Sequence, residues 1–340
     1  MPKTKTFFIA GVILLIPVLT FLYALNQSAQ KNYNSGIVSA SMKSSGLQVK
    51  SIDTQIVSKH WQITDRELVR QHVKEIQSMG VNYVAISTPY DHPDQLKIWS
   101  EEIHNRGLNV WFRSHWLDWE GDEGHESKMT MRDYLLRTNE FIKANPSLFK
   151  ENDAFTMCVE PEQVYVARKI EVSDWSSYNR FVIDQIEQSN LAFDAIGLAG
   201  KVHTNWISMN GWVVENGLQK ETVDKMGVIT VDHYQNQIET MPSEEFASLL
   251  ESDLKKIYEK WRKPIILGEW GYNIEREVSD FEQESVVNDI TKRFAKMDFI
   301  IGLNYWAHAG NSSRLISDVY GSDLTFRKAA YTLMRYYKEN

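Results

Sequence analysis

Eight short apolar runs with a two-residue period, separated by longer stretches with a period near 3.6, leave this chain few architectures. The runs are Ile52 to His60, Val81 to Thr88, Leu108 to His115, Ala154 to Glu160, Lys201 to Ile207, Val228 to Tyr234, Pro264 to Trp270 and Phe299 to Trp306. Side chains alternate across a strand and recur every three to four positions along a helix, so the pattern predicts strand and helix in turn. The helical stretches are Asp65 to Met79, Asp94 to Asn105, Met131 to Ala144, Trp175 to Gln188, Ser243 to Trp261 and Phe281 to Lys296. Met79-Gly80 and Arg106-Gly107 place a glycine where a helix must stop before the next strand. Eight such units within residues 51–340 match a closed (β/α)8, or TIM, barrel. A doubly wound open sheet is the alternative, but neither G-x-G-x-x-G nor G-x-x-x-x-G-K follows any run.

Residues 1–25 read differently. Lys3 and Lys5 precede nineteen residues, Phe7 to Leu25, without a charged side chain. At about 1.5 Å per residue, a helix of that length spans a bilayer core of roughly 30 Å. Leu22 and Ala24, or Gln27 and Ala29, make a poor cleavage site. The expectation is an uncleaved transmembrane signal anchor, with a cleaved signal peptide or a buried helix as alternatives. Lysines ahead of the span keep that end in the cytoplasm and send the rest outside. Residues 26–50 are polar and aperiodic and read as a flexible tether, which leaves 51–340 as the folded domain.

Composition narrows the function classes. Lys and Arg number 37 against 45 Asp and Glu, a formal net charge of −8 with no dense basic run, so a nucleic-acid partner is not expected. The single cysteine, Cys158, rules out an intrachain disulfide and a cysteine-built metal site. Eleven Trp exceed what one core ordinarily needs, so some are expected at a surface.

In a closed parallel barrel the working residues sit at the carboxyl ends of the strands. The fourth run ends Thr156-Met157-Cys158-Val159-Glu160-Pro161-Glu162 and the seventh ends Leu267-Gly268-Glu269-Trp270. A carboxyl group directly following a hydrophobic strand has little reason to be there as a solvated charge. Strict alternation puts Thr156, Cys158 and Glu160 on one side, and Ile265, Leu267 and Glu269 on one side, so both Glu160 and Glu269 are expected to point inward. Two carboxyls at one mouth can perform glycoside hydrolysis, one protonating the leaving oxygen while the other attacks the anomeric carbon. Glu162 is a rival for the acid role. His60, Arg113, His115, His203, Asn205, His233 and His308, with Trp61, Trp116 and Trp306, supply a polar and aromatic rim of the kind sugars favour.

The pattern of eight strands with Glu160-Pro161 ending the fourth, Glu269 the seventh and Trp306 the eighth resembles the clan of retaining β-glycosidases that includes the family 5 cellulases and mannanases. The resemblance covers about Ser51 to the C-terminus. It implies Glu160 as general acid/base, Glu269 as nucleophile, Trp306 as a platform under the sugar and Tyr234 as a hydrogen-bond partner of the nucleophile. It implies a β-linked glycan substrate and no cofactor.

Two other readings stand beside it. His60, His115, His203, His233 and His308 at strand ends suggest a metal-dependent hydrolase, although the first strand has no H-x-H and the fourth supplies no lysine. Val159 stands where most members of the clan carry Asn, which motivates a tethered barrel that binds polysaccharide without cutting it.

Overall fold

A computed structural model describes residues 46–55, 58, 65–115, 131–162, 174–233, 241–272, 277–310, 313–316 and 325–340. The chain divides into two units, Met1–Ser44 and Ser45–Asn340, and every described residue belongs to the second. The apolar run from Phe7 to Leu25 therefore lies outside the described residues. Among those described, no helix is long and apolar enough to cross a membrane.

The strands are β1 (Val49–Asp53), β2 (Tyr83–Pro89), β3 (Asn109–His115), β4 (Ala154–Thr156), β5 (Ser208–Asn210), β6 (Ile229–His233), β7 (Ile265–Trp270) and β8 (Ile300–Trp306). The helices are α1 (Arg66–Ser78), α2 (Pro93–Asn105), α3 (Met131–Ala144), α4 (Trp175–Ala195), α5 (Gly211–Asn216), α6 (Lys220–Met226), α7 (Ser243–Trp261), α8 (Asp280–Phe294) and α9 (Lys328–Glu339). All eight strands are parallel in the order β4-β3-β2-β1-β8-β7-β6-β5. The ends of that order meet where Phe155 N–H donates to the His203 carbonyl at 2.9 Å and His203 N–H to the Asp153 carbonyl at 2.8 Å, so the barrel is nearly closed.

Helix signals read from the sequence hold locally. Asp65 caps α1 by accepting from Glu67 N–H, and Gly80 and Gly107 carry φ of 87° and 71° just past α1 and α2, a conformation that penalises a Cβ. The apolar faces of these helices pack on the outer wall, giving a core that includes Ile52, Val84, Phe112, Leu267 and Leu303. A second cluster fills the barrel: Val49, Tyr83, Ala85, Trp111, Ala154, Trp206, Val228 and Ile266. Trp111 and Trp206 meet edge to face at 5.2 Å and make its floor.

Three strands differ from their expected bounds, the fourth by stopping at Thr156, four residues short of Glu160. The first begins at Val49, inside the span read as tether, with Gln48 N–H bonded to the Ile301 carbonyl. It ends at Asp53 because the Asp53 carboxylate accepts from Gln55 N–H at 2.6 Å and turns the chain toward a helical bond from Ser58 N–H to the Thr54 carbonyl. The fifth starts at Ser208, paired with Thr230, and not at Lys201. Helix α4 runs seven residues beyond Gln188 to Ala195, and the following chain spends His203 to Trp206 on the barrel floor before the wall resumes.

Candidate active site

The mouth is built around one guanidinium. Arg113, inward on β3, is fully buried. Its Nη1 donates to the Gly268 carbonyl and lies 3.3 Å from Asp53 Oδ2, while Nη2 is hydrogen-bonded to Glu269 Oε1 and lies 3.5 Å from Asp232 Oδ2. Asn304 on β8 braces the cluster, donating to Asp53 Oδ2 at 3.0 Å and to the Gly268 carbonyl at 2.7 Å. One cation faces three acids, 1 − 3 = −2 if all ionise, and burial pushes the Asp53 and Asp232 carboxyls upward against the pull of Arg113. Asp232 is raised well above its ordinary range, with Glu160 and Glu162 adding to the effect.

Glu269 reaches this cluster through an irregularity that alternation does not foresee. Ile265 and Leu267 belong to the outer core and Ile266 to the barrel interior, so Glu269 lies on the face opposite the two residues expected to share its side. Val231 pairs with Leu267 but Asp232 pairs with Glu269, leaving Gly268 as an extra residue in a bulge. Bulges bend a strand and re-aim the following side chain. Glycine is required there: a Cβ at Gly268 would lie 2.2 Å from Ser208 Oγ and 2.4 Å from Asp232 Oδ1.

The fourth strand also breaks its expected alternation. Thr156 faces inward, accepting from Trp111 Nε1 at 2.9 Å, but β4 ends there and Cys158 joins the outer core. Glu160 then takes a left-handed φ of 42° and donates its N–H to the Ser208 carbonyl at 2.9 Å. It is partly exposed and close enough to Asp232 to raise that carboxyl. Glu269 is thus bonded to Arg113, while Glu160 acts on Asp232 through its charge, as Glu162 does. Glu162 has a different setting: it is buried, accepts from Asn210 N–H at 2.6 Å and Tyr178 Oη at 3.1 Å, and burial pushes its carboxyl up to about 7.

The expected rim is only partly assembled. Trp306 ends β8 partly exposed, in register with Asp53, and its peptide bond to Ala307 is cis. Arg113 is at the mouth but fully buried, so it holds Glu269 and is not exposed to a sugar. His203 and Asn205 are not at the mouth. His203 bridges Ala154, the first residue of β4, and stacks on Trp206 at 4.6 Å, while Asn205 bonds the Met226 carbonyl ahead of β6; both sit at the amino end because the fifth strand starts later than expected. His308 is not at the mouth either. The chain turns behind the wall after β8, and its Nε2 meets His72 Nδ1 on α1 at 3.0 Å, fully buried. Burial and His72 hold its imidazole well below the ordinary range. His60 and Tyr234, and the side chains of His115 and His233, lie outside the described residues. Among the described residues no group of three His, Cys, Asp or Glu is arranged to hold a metal ion.

Asp53 and Asn304 were not foreseen as site residues. Asn304 was within reach, two positions before Trp306 on the same face of the eighth strand. Asp53 was hidden because the first strand ends seven residues earlier than its apolar pattern suggested.

No family model matches the sequence, and no curated protein matches it. Solved structures do. A β-D-glucuronidase from Dictyoglomus thermophilum superposes with a TM-score of 0.60 at 18% identity over 86% of this chain and 50% of that one. The chain thus spans about half the length of that enzyme. A family 113 β-mannanase from Alicyclobacillus acidocaldarius gives a TM-score of 0.53 at 12% identity over 88% and 99% of the two chains. A broad-specificity family 5 endoglucanase from Clostridium longisporum gives 0.57 at 13% identity over 89% and 98%. At these identities the agreement establishes the (β/α)8 fold, which this chain shares with these three enzymes.

Proposed function

We propose that this protein is a retaining glycoside hydrolase acting on a β-linked glycan. The observation that carries the reading is Glu269 bound to the buried Arg113 at the carboxyl end of β7, with Glu160 partly exposed beyond the fourth strand and bonded through its N–H to the Ser208 carbonyl of β5. The guanidinium favours the ionised form of Glu269, as a nucleophile requires, and fixes its orientation. Glu269 attacks the anomeric carbon, and the bond to the departing oxygen breaks as Glu160 delivers its proton. Glu160 then takes a proton from water, whose oxygen displaces Glu269 and frees the sugar with its original configuration. Trp306, partly exposed beside Asp53, suits a platform under the sugar, and Tyr234, His60, His115 and His233 are proposed as its polar rim. That a β-D-glucuronidase, a β-mannanase and an endoglucanase share the fold supports the reaction class.

Soluble β-linked glucans, mannans and glucuronides offered to the purified chain test the reading. Reducing ends should appear with at least one of them, released with retained configuration by NMR, and Glu269→Gln and Glu160→Ala should each lower turnover by at least about 10³-fold. Full activity in either variant would remove the assignment. The apolar run Phe7 to Leu25, preceded by Lys3 and Lys5, further leads us to propose that the domain is held outside the cytoplasm by a membrane anchor.

A further inference from the structure

The end of the barrel opposite the mouth carries a concentration of positive charge that the hydrolase reading does not use. In a parallel barrel each helix returns the chain from the carboxyl ends of the strands to their amino ends, so helix C-termini and the turns after them form that opposite face. Residues 259–264, 292–299 and 337–340, which close α7, α8 and α9, bear seven Lys or Arg against Glu259, Asp298 and Glu339. The five other stretches of the face, 76–82, 103–108, 142–153, 193–207 and 224–228, bear five against four acids. The helix dipole favours cations at every one of these ends, so it does not explain their gathering at three that are neighbours along β7, β8 and β1.

Part of this charge is neutralised internally. Lys263 pairs with Asp224 at 3.1 Å, and Arg293 with Glu244 and Glu251. Arg262, Lys296 and Lys338, with Arg335 one turn earlier on α9, are exposed and have no carboxylate partner among the described residues. Aromatic rings stand among them. Tyr258 and Phe299, both partly exposed, stack at 4.3 Å and 7°, and the Arg262 guanidinium lies 5.4 Å from the Tyr258 ring. Tyr331, 53% exposed, shares the outer stripe of α9 with Arg335 and Lys338. Cations interleaved with half-buried aromatics suit lipid headgroups, where the rings sit at the interface and the cations meet phosphate.

Connectivity selects the occupant. Leu47 N–H bonds the Asn340 carbonyl at 3.1 Å, and Lys50 Nζ bonds the Tyr337 carbonyl at 2.8 Å, so the chain enters β1 beside the end of α9. Twenty residues, 26–45, separate this basic end from the apolar run Phe7 to Leu25. A link that short holds the face at about millimolar effective concentration near whatever the run is inserted in, so a few screened contacts suffice. The mouth end has the other sign: helices start there with Glu67, Asp94, Asp133, Glu244 and Asp280 in their first turns. An anionic surface attracts one end of the barrel and repels the other.

Building on the proposed membrane anchor, we propose that the face around Arg262, Lys296, Arg335 and Lys338 docks on the phosphates of anionic lipids, so that the domain stands with its mouth turned away from the bilayer. The full chain in nanodiscs of phosphatidylcholine, alone or with about 30% phosphatidylglycerol, tests this through lysine acetylation read by mass spectrometry. Lys296 and Lys338 should react at least about fivefold more slowly in the anionic discs and recover in about 0.5 M salt, while Lys97 in the first half of α2, its side chain 54% exposed, changes less than about twofold. The double substitution Lys296→Glu and Arg335→Glu should abolish the shielding of Lys338. The docking face is overturned if the two lysines react alike in both discs, if salt or the double substitution leaves Lys338 shielded, or if Lys97 is shielded equally. Co-elution with neutral discs scores the anchor separately. Co-elution without shielding in anionic discs keeps the anchor and sinks the docking face; salt-sensitive shielding by anionic discs without co-elution with neutral ones does the reverse.

Discussion

Replacing Arg113 with methionine removes the one guanidinium among Asp53, Asp232 and Glu269 while nearly preserving side-chain volume. At an effective dielectric of about 20, each contact of 3.3 to 3.5 Å is worth about 5 kcal/mol before desolvation. That gross sum is not what the variant loses, because an abandoned carboxylate escapes by taking a proton. The escape is limited by the proton's free energy, about 1.4 kcal/mol per pH unit above the ordinary pKa, so about 4 kcal/mol for Glu269 at pH 7. Asp53 and Asp232 add less, since burial already raises them. The expected loss for Arg113→Met is therefore about 4 kcal/mol at pH 7, shrinking to about 1 kcal/mol near pH 5, where the unfolded chain also begins to hold the proton. The sign is fixed: an acid raised in the folded state destabilises it as pH climbs. Urea unfolding followed by circular dichroism at pH 5, 6 and 7 measures the difference. A loss below about 1 kcal/mol at pH 7, or one that does not change with pH, would refute the reasoning.

Two further substitutions probe the same end of the barrel. The Glu162 carboxyl, pushed from 4.5 up to about 7, keeps a proton that the unfolded chain releases, so the wild type should lose on the order of 3 kcal/mol between those pH values and then level off. Glu162→Gln should flatten that segment of a stability–pH curve, and an identical curve would mean that Glu162 is ionised in the folded protein. Gly268→Ala drives a methyl into Ser208 and Asp232 and should cost about 1 to 3 kcal/mol in urea unfolding, with Arg113 and Glu269 displaced; a neutral outcome would show the bulge to be compressible.

The barrel was legible because its signals are local and repeated. Met131–Ala144 and Ser243–Trp261 begin and end where the periodicity places them, since an amphipathic face and its stop signals lie within one segment. The mouth was legible only as residue types. Glu269 points inward for a reason that strict alternation contradicts, because a bulge depends on partners in β6 and β8 that no single segment reveals. His308 illustrates the opposite failure. An imidazole two residues beyond Trp306 looks like part of a rim, yet the bend after the strand and the facing His72, 236 positions away, send it behind the wall. His203 failed on register: one strand displaced along the axis moves its polar residues from one end of the barrel to the other.

The surplus residue in β7 does more than re-aim an acid. By doubling up Gly268 and Glu269 against a single partner on β8, it bares a main-chain oxygen to the lumen, where both Arg113 and Asn304 find it. That oxygen is uncharged at every pH. It occupies two donors without contributing a fourth anion to an already crowded interior.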